Sequence, residues 1–182
     1  MQKFFENTDR IECFLKNLSI VICPKCGACG PLTRHGFIYG YIEDTKEIRG
    51  WRVYCDPKSS RGNGCGHAPS VRLADTLPGR SLSAPQLMSF ILALISGDSI
   101  YGAWKKCGSI ATIRNGYRVY ERLKLCQSVI RTRLFGLSPP RIEGRKTAPL
   151  LTTLESLKEA LGLDNAVSVY QKTFQQDFLK LT

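Results

Sequence analysis

The sequence predicts an α+β fold in three parts: a small three-stranded ribbon tied by cysteines, a mostly helical domain, and a C-terminal helical hairpin. Three observations predict it. Four cysteines bracket the stretch 23–65 in pairs. Two runs rich in aromatic and β-branched residues lie between those pairs. Beyond residue 83, apolar residues recur every three or four positions up to the end of the chain.

The first element is an amphipathic helix over 8–17, with Thr8 or Asp9 as its cap and Ile11, Phe14 and Leu15 on one face. It leads through Ile20-Val21-Ile22 into Cys23-Pro24-Lys25-Cys26-Gly27. Two thiols three positions apart on a tight turn can bite one tetrahedral metal ion, and Pro24 and Gly27 supply the backbone of that turn. The pattern continues as x28, Cys55, x9, Cys65, so the second pair carries seven residues more than the usual x2, in a Ser-, Gly- and Asn-rich loop over 56–64. A zinc ion on the four sulfurs of Cys23, Cys26, Cys55 and Cys65 is the expectation. Cys29, His67 and His35 are the competing ligands. Cys13, Cys107 and Cys126 lack a partner at ligand spacing, sit in apolar-patterned stretches, and are expected in the core.

Between the cysteine pairs, Leu32 to Ile42 and Ile48 to Tyr54 read as a β-hairpin around the polar 43–47, and Ala68 to Leu73 as a third strand. A ribbon of this size depends on its metal for folding. Asp75 to Leu82, with Pro78 and Gly79, reads as a linker. Ser83 caps a helix with Pro85 in its first turn, carrying Leu87, Phe90, Ile91 and Leu94 up to Gly97. Ser99 starts a shorter helix that stops at Cys107-Gly108. Ser109 starts a third, with apolar Ile113, Tyr117, Tyr120, Leu123, Ile130 and Leu134 up to Gly136. Helix, tight Gly turn, helix is the pattern of a helix-turn-helix unit, with its reading helix after Ser109. A linker over 142–147 precedes two helices marked by Leu150, Leu151, Leu154, Leu157 and Leu161, then by Val167, Tyr170, Phe174, Phe178 and Leu181. This near-neutral hairpin is expected to pack on the middle domain ahead of forming a homodimer or partner contact. The expected divisions are an N-terminal helix (1–19), the ribbon (20–74), the helix-turn-helix domain (83–136) and the hairpin (148–182).

The formal net charge of +11 points to a polyanionic partner, and its distribution locates the contact. Residues 101–146 carry 11 basic against 2 acidic side chains, while the segments before and after them are nearly balanced. Arg114, Arg118 and Arg122 are spaced by four and share one helix face. Asn115 lies beside them, and Lys105 and Lys106 end the preceding helix. An unmixed basic stripe near the start of an exposed helix suits double-stranded DNA better than mere solvation does. The alternative is an RNA-binding or ribosome-associated ribbon protein that stacks bases on Phe37, Tyr39, Tyr41, Trp51 and Tyr54. In a DNA-binding ribbon the same rings would serve as core and cross-strand pairs.

Cys23-Pro24-Lys25-Cys26-Gly27, Arg34-His35-Gly36, Arg52-Val53-Tyr54-Cys55, Cys65-Gly66 and Pro69-Ser70 resemble the zinc ribbon that opens many bacterial insertion-sequence transposases, where a helix-turn-helix module follows. The order of parts also resembles uncharacterised bacterial ribbon-plus-helical proteins of mobile elements. The resemblance covers residues 20–135 and implies a DNA-binding module, with a transposase or recombinase as a further partner. It departs from that family at the x9 spacing and in having no catalytic domain after the helices. Strand transfer needs several carboxylates for two metal ions on a large scaffold, and after residue 135 only Glu143, Glu155, Glu159, Asp164 and Asp177 remain. Both histidines lie inside the ribbon, and no Walker-type phosphate loop occurs. The chain is therefore expected to be a binding protein, not an enzyme. A cysteine nucleophile at Cys65 beside His67 is the enzymatic alternative. No window approaches the ~18 apolar residues of a membrane span. No charged, apolar leader precedes the first cysteine, so the expected location is the bacterial cytoplasm, at the nucleoid when DNA is bound.

Overall fold

The computed structural model describes residues 2–42, 45–60, 63–137, 149–162 and 164–180. The chain is α+β, and among these residues it forms one four-stranded mixed sheet and six α-helices. The sheet has one strand more than the sequence predicts. Gln2–Phe5 (β1) runs parallel to Ser70–Leu73 (β4), with Gln2 opposite Ser70 and Phe5 opposite Leu73. Four residues joined to a partner almost seventy positions away leave no local pattern to read. Leu32–Ile42 (β2) and Thr45–Cys55 (β3) make the hairpin, three residues longer on its second arm at the turn end than predicted. β4 pairs with β3 only over Gly50–Arg52, which gives the order β1-β4-β3-β2 and leaves the distal part of the hairpin without a third strand.

Helix α1, Thr8–Lys16, forms where predicted, but its cap is Asn7, whose Oδ1 accepts from the Arg10 N–H at 2.9 Å. Asn outranks Thr as a capping side chain, so the helix starts one residue after it. Ile11 is buried under the sheet with Leu18, Leu32, Trp51, Val53 and Val71, and Phe14 and Leu15 pack at the edge of this core. Cys13 is exposed, against the expectation that it is core. It lies on the solvent side of α1, and Asn17 Nδ2 donates to its carbonyl.

The second core is larger and belongs to the helices. Ala84–Ile95 (α2) starts on a full capping box, in which the Gln86 N–H donates to Ser83 Oγ and the Ser83 N–H donates to Gln86 Oε1. Ile100–Lys106 (α3) is capped by Ser99. Ile113–Phe135 (α4) starts four residues later than the sequence predicts. Gly108 turns the chain at φ +68°, Ser109 Oγ accepts from the Ala111 N–H, and Trp104 Nε1 donates to the Ala111 carbonyl, which holds 107–112 as a six-residue connection. That is longer than the three- to four-residue turn of a helix-turn-helix. The buried face of α4 is Gly116, Val119, Leu123, Cys126, Ile130 and Leu134, while Tyr117, expected on the apolar face, is exposed. Gly116 is there for close packing: a Cβ on it would come within 2.8 Å of the Trp104 ring. Cys107 and Cys126 are buried as predicted.

Pro149–Leu161 (α5) and Ala166–Phe174 (α6) pack on α4 and α2 through Leu154, Leu157, Val167 and Tyr170. The last helix ends earlier than its pattern suggests. Gln175 adopts φ 51°, and Phe178 and Leu179 then fold back into the core, with Phe178 edge-on to Tyr170. The linker predicted over 142–147, and Leu181, lie outside the described residues.

The stretch 75–82, expected as a free linker, is instead part of the packing: Thr76, Leu77 and Leu82 are buried, and Thr76 bridges to Ser83. Two glutamines join the halves here. Gln171, fully buried on α6, donates from Nε2 to the carbonyls of Ala74 and Thr76 and accepts the Phe178 N–H on Oε1. Gln175 pairs its amide with both the N–H and the carbonyl of Phe4, standing where a neighbouring strand would sit at the β1 edge. Among the described residues no helix is long and apolar enough to cross a membrane.

Candidate metal centre and basic groove

The sulfurs of Cys23, Cys26, Cys55 and Cys65 all lie within 4.8 Å of one another, and the four can hold a metal ion. Two chain reversals place them. In the first, the Gly27 N–H donates to the Cys23 carbonyl at 2.9 Å, the Cys23 N–H donates to the Ala28 carbonyl, and Gly27 takes φ +73°. In the second, the Gly66 N–H donates to the Cys55 carbonyl and the Cys55 N–H to the His67 carbonyl, both at 2.9 Å, with Gly66 at φ +72°. Both reversals thus run through a Cys-Gly step in the left-handed region, which a side chain disfavours.

The seven extra residues of the second pair do not displace it. The Gly64 N–H donates to the Asp56 carbonyl, and a Cβ on Gly64 would come within 2.3 Å of that oxygen, so the loop is pinched at its base and returns Cys65 to Cys55. The Cys65 N–H then points at Cys55 Sγ from 3.3 Å. Cys29, His35 and His67 are not part of the cluster.

Distance tests what the cluster fits. Cys23 and Cys65 sulfurs are 3.9 Å apart, Cys26 and Cys55 sulfurs 3.8 Å. A disulfide is about 2 Å long, whereas two thiolates on one tetrahedral ion at about 2.3 Å per bond stand about 3.8 Å apart. The electrostatics agree with a cation site. Burial pushes the Cys55 thiol up, to about 12, and the three neighbouring sulfurs add to that. At Cys23 burial also pushes upward, but N–H donors from Cys26 and Lys25 and the sulfurs of Cys55 and Cys26 outweigh it and bring the thiol down to about 7. The Cys23 thiolate is thus stabilised by protein dipoles alone, whereas ionising Cys55 needs positive charge beside it.

The residues singled out for DNA contact separate into two groups. Arg114 and Arg118 are exposed on the first turns of α4, and with Arg122 they line one open groove of about 420 Å³. Arg122 is half-buried, its Nε donating to the Leu179 carbonyl at 2.7 Å, so it forms the groove's back wall and ties the C-terminal segment to α4. Asn115 is half-buried and does not line the groove. Lys105 and Lys106 do not line it. Lys106 is paired with Asp98 at 2.6 Å, and Lys105 lies over the Tyr101 ring. Four lining residues are not among those the sequence singles out for contact: Tyr117, expected in the core, Arg80, from the stretch expected as a linker, and Glu121 and Leu125. The buried spacing Gly116, Val119, Leu123, Cys126 could have shown that Tyr117 faces outward. Nothing local marks Arg80.

The hairpin carries a different surface. Phe37, Tyr39 and Tyr41 are 41%, 52% and 59% exposed, whereas Trp51 is buried and Tyr54 half-buried. Arg34 lies over the Phe37 ring and Lys46 over the Tyr39 ring. Comparison of the chain with protein-family models, with curated proteins and with solved structures finds no match.

Proposed function

We propose that this chain is a zinc-dependent DNA-binding protein, a zinc ribbon joined to a helix-turn-helix-like domain, serving as an accessory or regulatory protein of a mobile genetic element. The observation that carries it is the pair Arg114 and Arg118, exposed and lining an open groove on a helix that carries six basic side chains against one acidic. Guanidinium forks match phosphate oxygens, and most of the affinity of such a surface is sequence-independent. Four thiolates in a tetrahedral arrangement favour zinc or iron, and zinc is the usual structural ion of such sites. Cys23, Cys26, Cys55 and Cys65 would hold it, and it would supply folding energy to the sheet. The mobile-element context rests on the resemblance of the ribbon residues, with a transposase or recombinase as the further partner. The test is a duplex titration over a range of salt. Tight binding at low salt that falls steeply as salt rises, and weakens in Arg114→Gln/Arg118→Gln, is the expected result. A flat salt dependence, or an unchanged double variant, removes the reading.

The exposed rings of Phe37, Tyr39 and Tyr41 favour a second reading, an RNA-binding protein that stacks unpaired bases on the hairpin. The exposed charges of the hairpin are mixed, with Glu47 beside Lys46, so this surface attracts a polyanion less than the α4 groove does. Preference for single-stranded RNA over duplex at matched salt, lost in Tyr39→Ala, would put this reading first.

A further inference from the structure

We propose that Arg80, Arg114 and Arg118 form one phosphate-binding groove built from the 75–82 stretch and α4, with the buried Arg49 of the sheet as the residue that positions Arg80. The inference rests on the DNA reading above and adds to it a contact outside α4 and a link from the sheet to that contact.

The groove is lined by four guanidinium-bearing residues, Arg80, Arg114, Arg118 and Arg122, against a single carboxylate, Glu121. Tyr117 supplies a flat apolar face between them. Arg122 is committed to the Leu179 carbonyl, which leaves Arg80, from the 75–82 stretch, and Arg114 and Arg118, from α4, as the groove's other cations. Arg80 follows Gly79, which turns the chain at φ +68°, and its N–H donates to the Leu77 carbonyl.

Its carbonyl is fixed from the sheet. Arg49 Nη1, on β3, donates to it at 2.7 Å. Arg49 is only 3% exposed, an unusual state for an arginine, and its Nε and Nη2 have no hydrogen-bond partner among the described residues. Gly40 on β2 makes room for it, since a Cβ there would come within 2.4 Å of Arg49 Cδ. A buried guanidinium with one hydrogen bond costs stability. The bond it does make sets the backbone of Arg80. Asp177 does not line the groove; burial pushes its carboxyl up, and Arg80, Arg72 and Arg122 offset this only in part.

An open trough with cations from two separate chain segments suits a phosphodiester strand more than a single small anion, and each phosphate neutralised releases counterions. The test uses the full-length, zinc-loaded protein and a fluorescent 20-base-pair duplex, titrated at several salt concentrations. Arg80→Gln is expected to weaken binding and to reduce the slope of log K against log salt by about 0.9, as loss of one phosphate contact does. Arg114→Gln and Arg118→Gln should each do the same, while Arg131→Gln, exposed farther along α4, should leave the slope unchanged. Arg49→Gln should match the slope change of Arg80→Gln, and the double variant Arg49→Gln/Arg80→Gln should add nothing further, because one acts through the other. Arg49→Lys, which keeps a donor, should recover part of the loss.

Should Arg49→Gln fail to fold, Arg80→Gln still decides the groove and Arg49→Lys decides the positioning. An unchanged slope in Arg80→Gln, with Arg114→Gln reduced, overturns the shared groove and leaves the DNA reading standing. Absence of salt-dependent duplex binding by the unaltered protein overturns both. Competition by poly-glutamate as effective as by duplex at equal charge also overturns the phosphate assignment.

Discussion

Four thiols packed within 4.8 Å cannot all lose their protons unless a cation takes the protons' place, and the Cys23–Cys65 and Cys26–Cys55 separations match the edge of a tetrahedral metal–thiolate site. Replacing Cys23 or Cys55 with Ser is therefore expected to abolish metal binding, and because structural zinc contributes about 10–16 kcal/mol to small metal-dependent folds, the sheet should unfold with it. Cys13→Ser and Cys29→Ser, both at exposed sites outside the cluster, should retain one metal per chain, and elemental analysis of the four proteins checks this. The cysteine cluster is legible because Cys23 and Cys26 stand at ligand spacing on a turn framed by Pro24 and Gly27, with Cys55 and Cys65 as a second pair. Cys13 was not legible, because an amphipathic helix exposes residues two positions from its buried face whatever their polarity. A second residue gives a pH signature. Burial raises the Tyr170 hydroxyl to about 12 from its ordinary value near 10, so the unfolded chain releases this proton first as pH rises. Its stabilising contribution is complete below pH 10 and falls away between pH 10 and 12. Tyr170→Phe should unfold less steeply than the unaltered protein across that window in circular dichroism.

At the scale of elements, α4 shows two effects of opposite sign at one position. Ala in place of Gly116 favours the helix by about 1 kcal/mol, yet the new methyl group would meet the Trp104 ring at 2.8 Å. Overpacking of that kind costs about 1–3 kcal/mol. Trp104 is held by its own bond to the Ala111 carbonyl and by edge-on contact with Phe90, so it cannot easily give way. Gly116→Ala is expected to lower the urea midpoint, and a raised midpoint would show that propensity wins. The start of α2 offers a simpler case, where Ser83→Ala removes the capping box and should cost about 1 kcal/mol in the same assay. Ser83 could be read from sequence because a cap, a Pro and the following apolar period agree within a few residues. β1 could not, since its strand partner among the described residues is the distant β4, and α4's late start could not, since it depends on Trp104 reaching Ala111.

Over the whole molecule, the two hydrophobic cores differ in what they need. The sheet core has few large side chains besides Ile11, Leu18, Leu32, Trp51, Val53 and Val71, and two of its buried members are the cysteines themselves. The helical core draws on five helices and on Leu77 and Leu82 from the connecting stretch. Chelating the metal should therefore melt residues 2–73 and leave α2, α4 and α6 folded, with Gln171 losing the fixed positions of its partners at Ala74 and Thr76. Hydrogen exchange followed by mass spectrometry resolves this directly: amides of β2 and β3 should lose protection on chelation while those of α4 keep it. Equal loss in both would mean that Gln171 and Gln175 weld the halves into one cooperative unit. Gln171→Met separates the cases further, because it strands two carbonyls and the Phe178 N–H at a cost of about 1–3 kcal/mol for each and should uncouple the halves even with metal bound. The chelated protein also bears on binding. With β3 unfolded, Arg49 no longer holds Arg80, whereas Arg114 and Arg118 remain on an intact α4. Duplex affinity should then fall, the salt slope should drop by about one contact's worth, near 0.9, and what remains should be insensitive to Arg80→Gln but still abolished by removing the two α4 arginines.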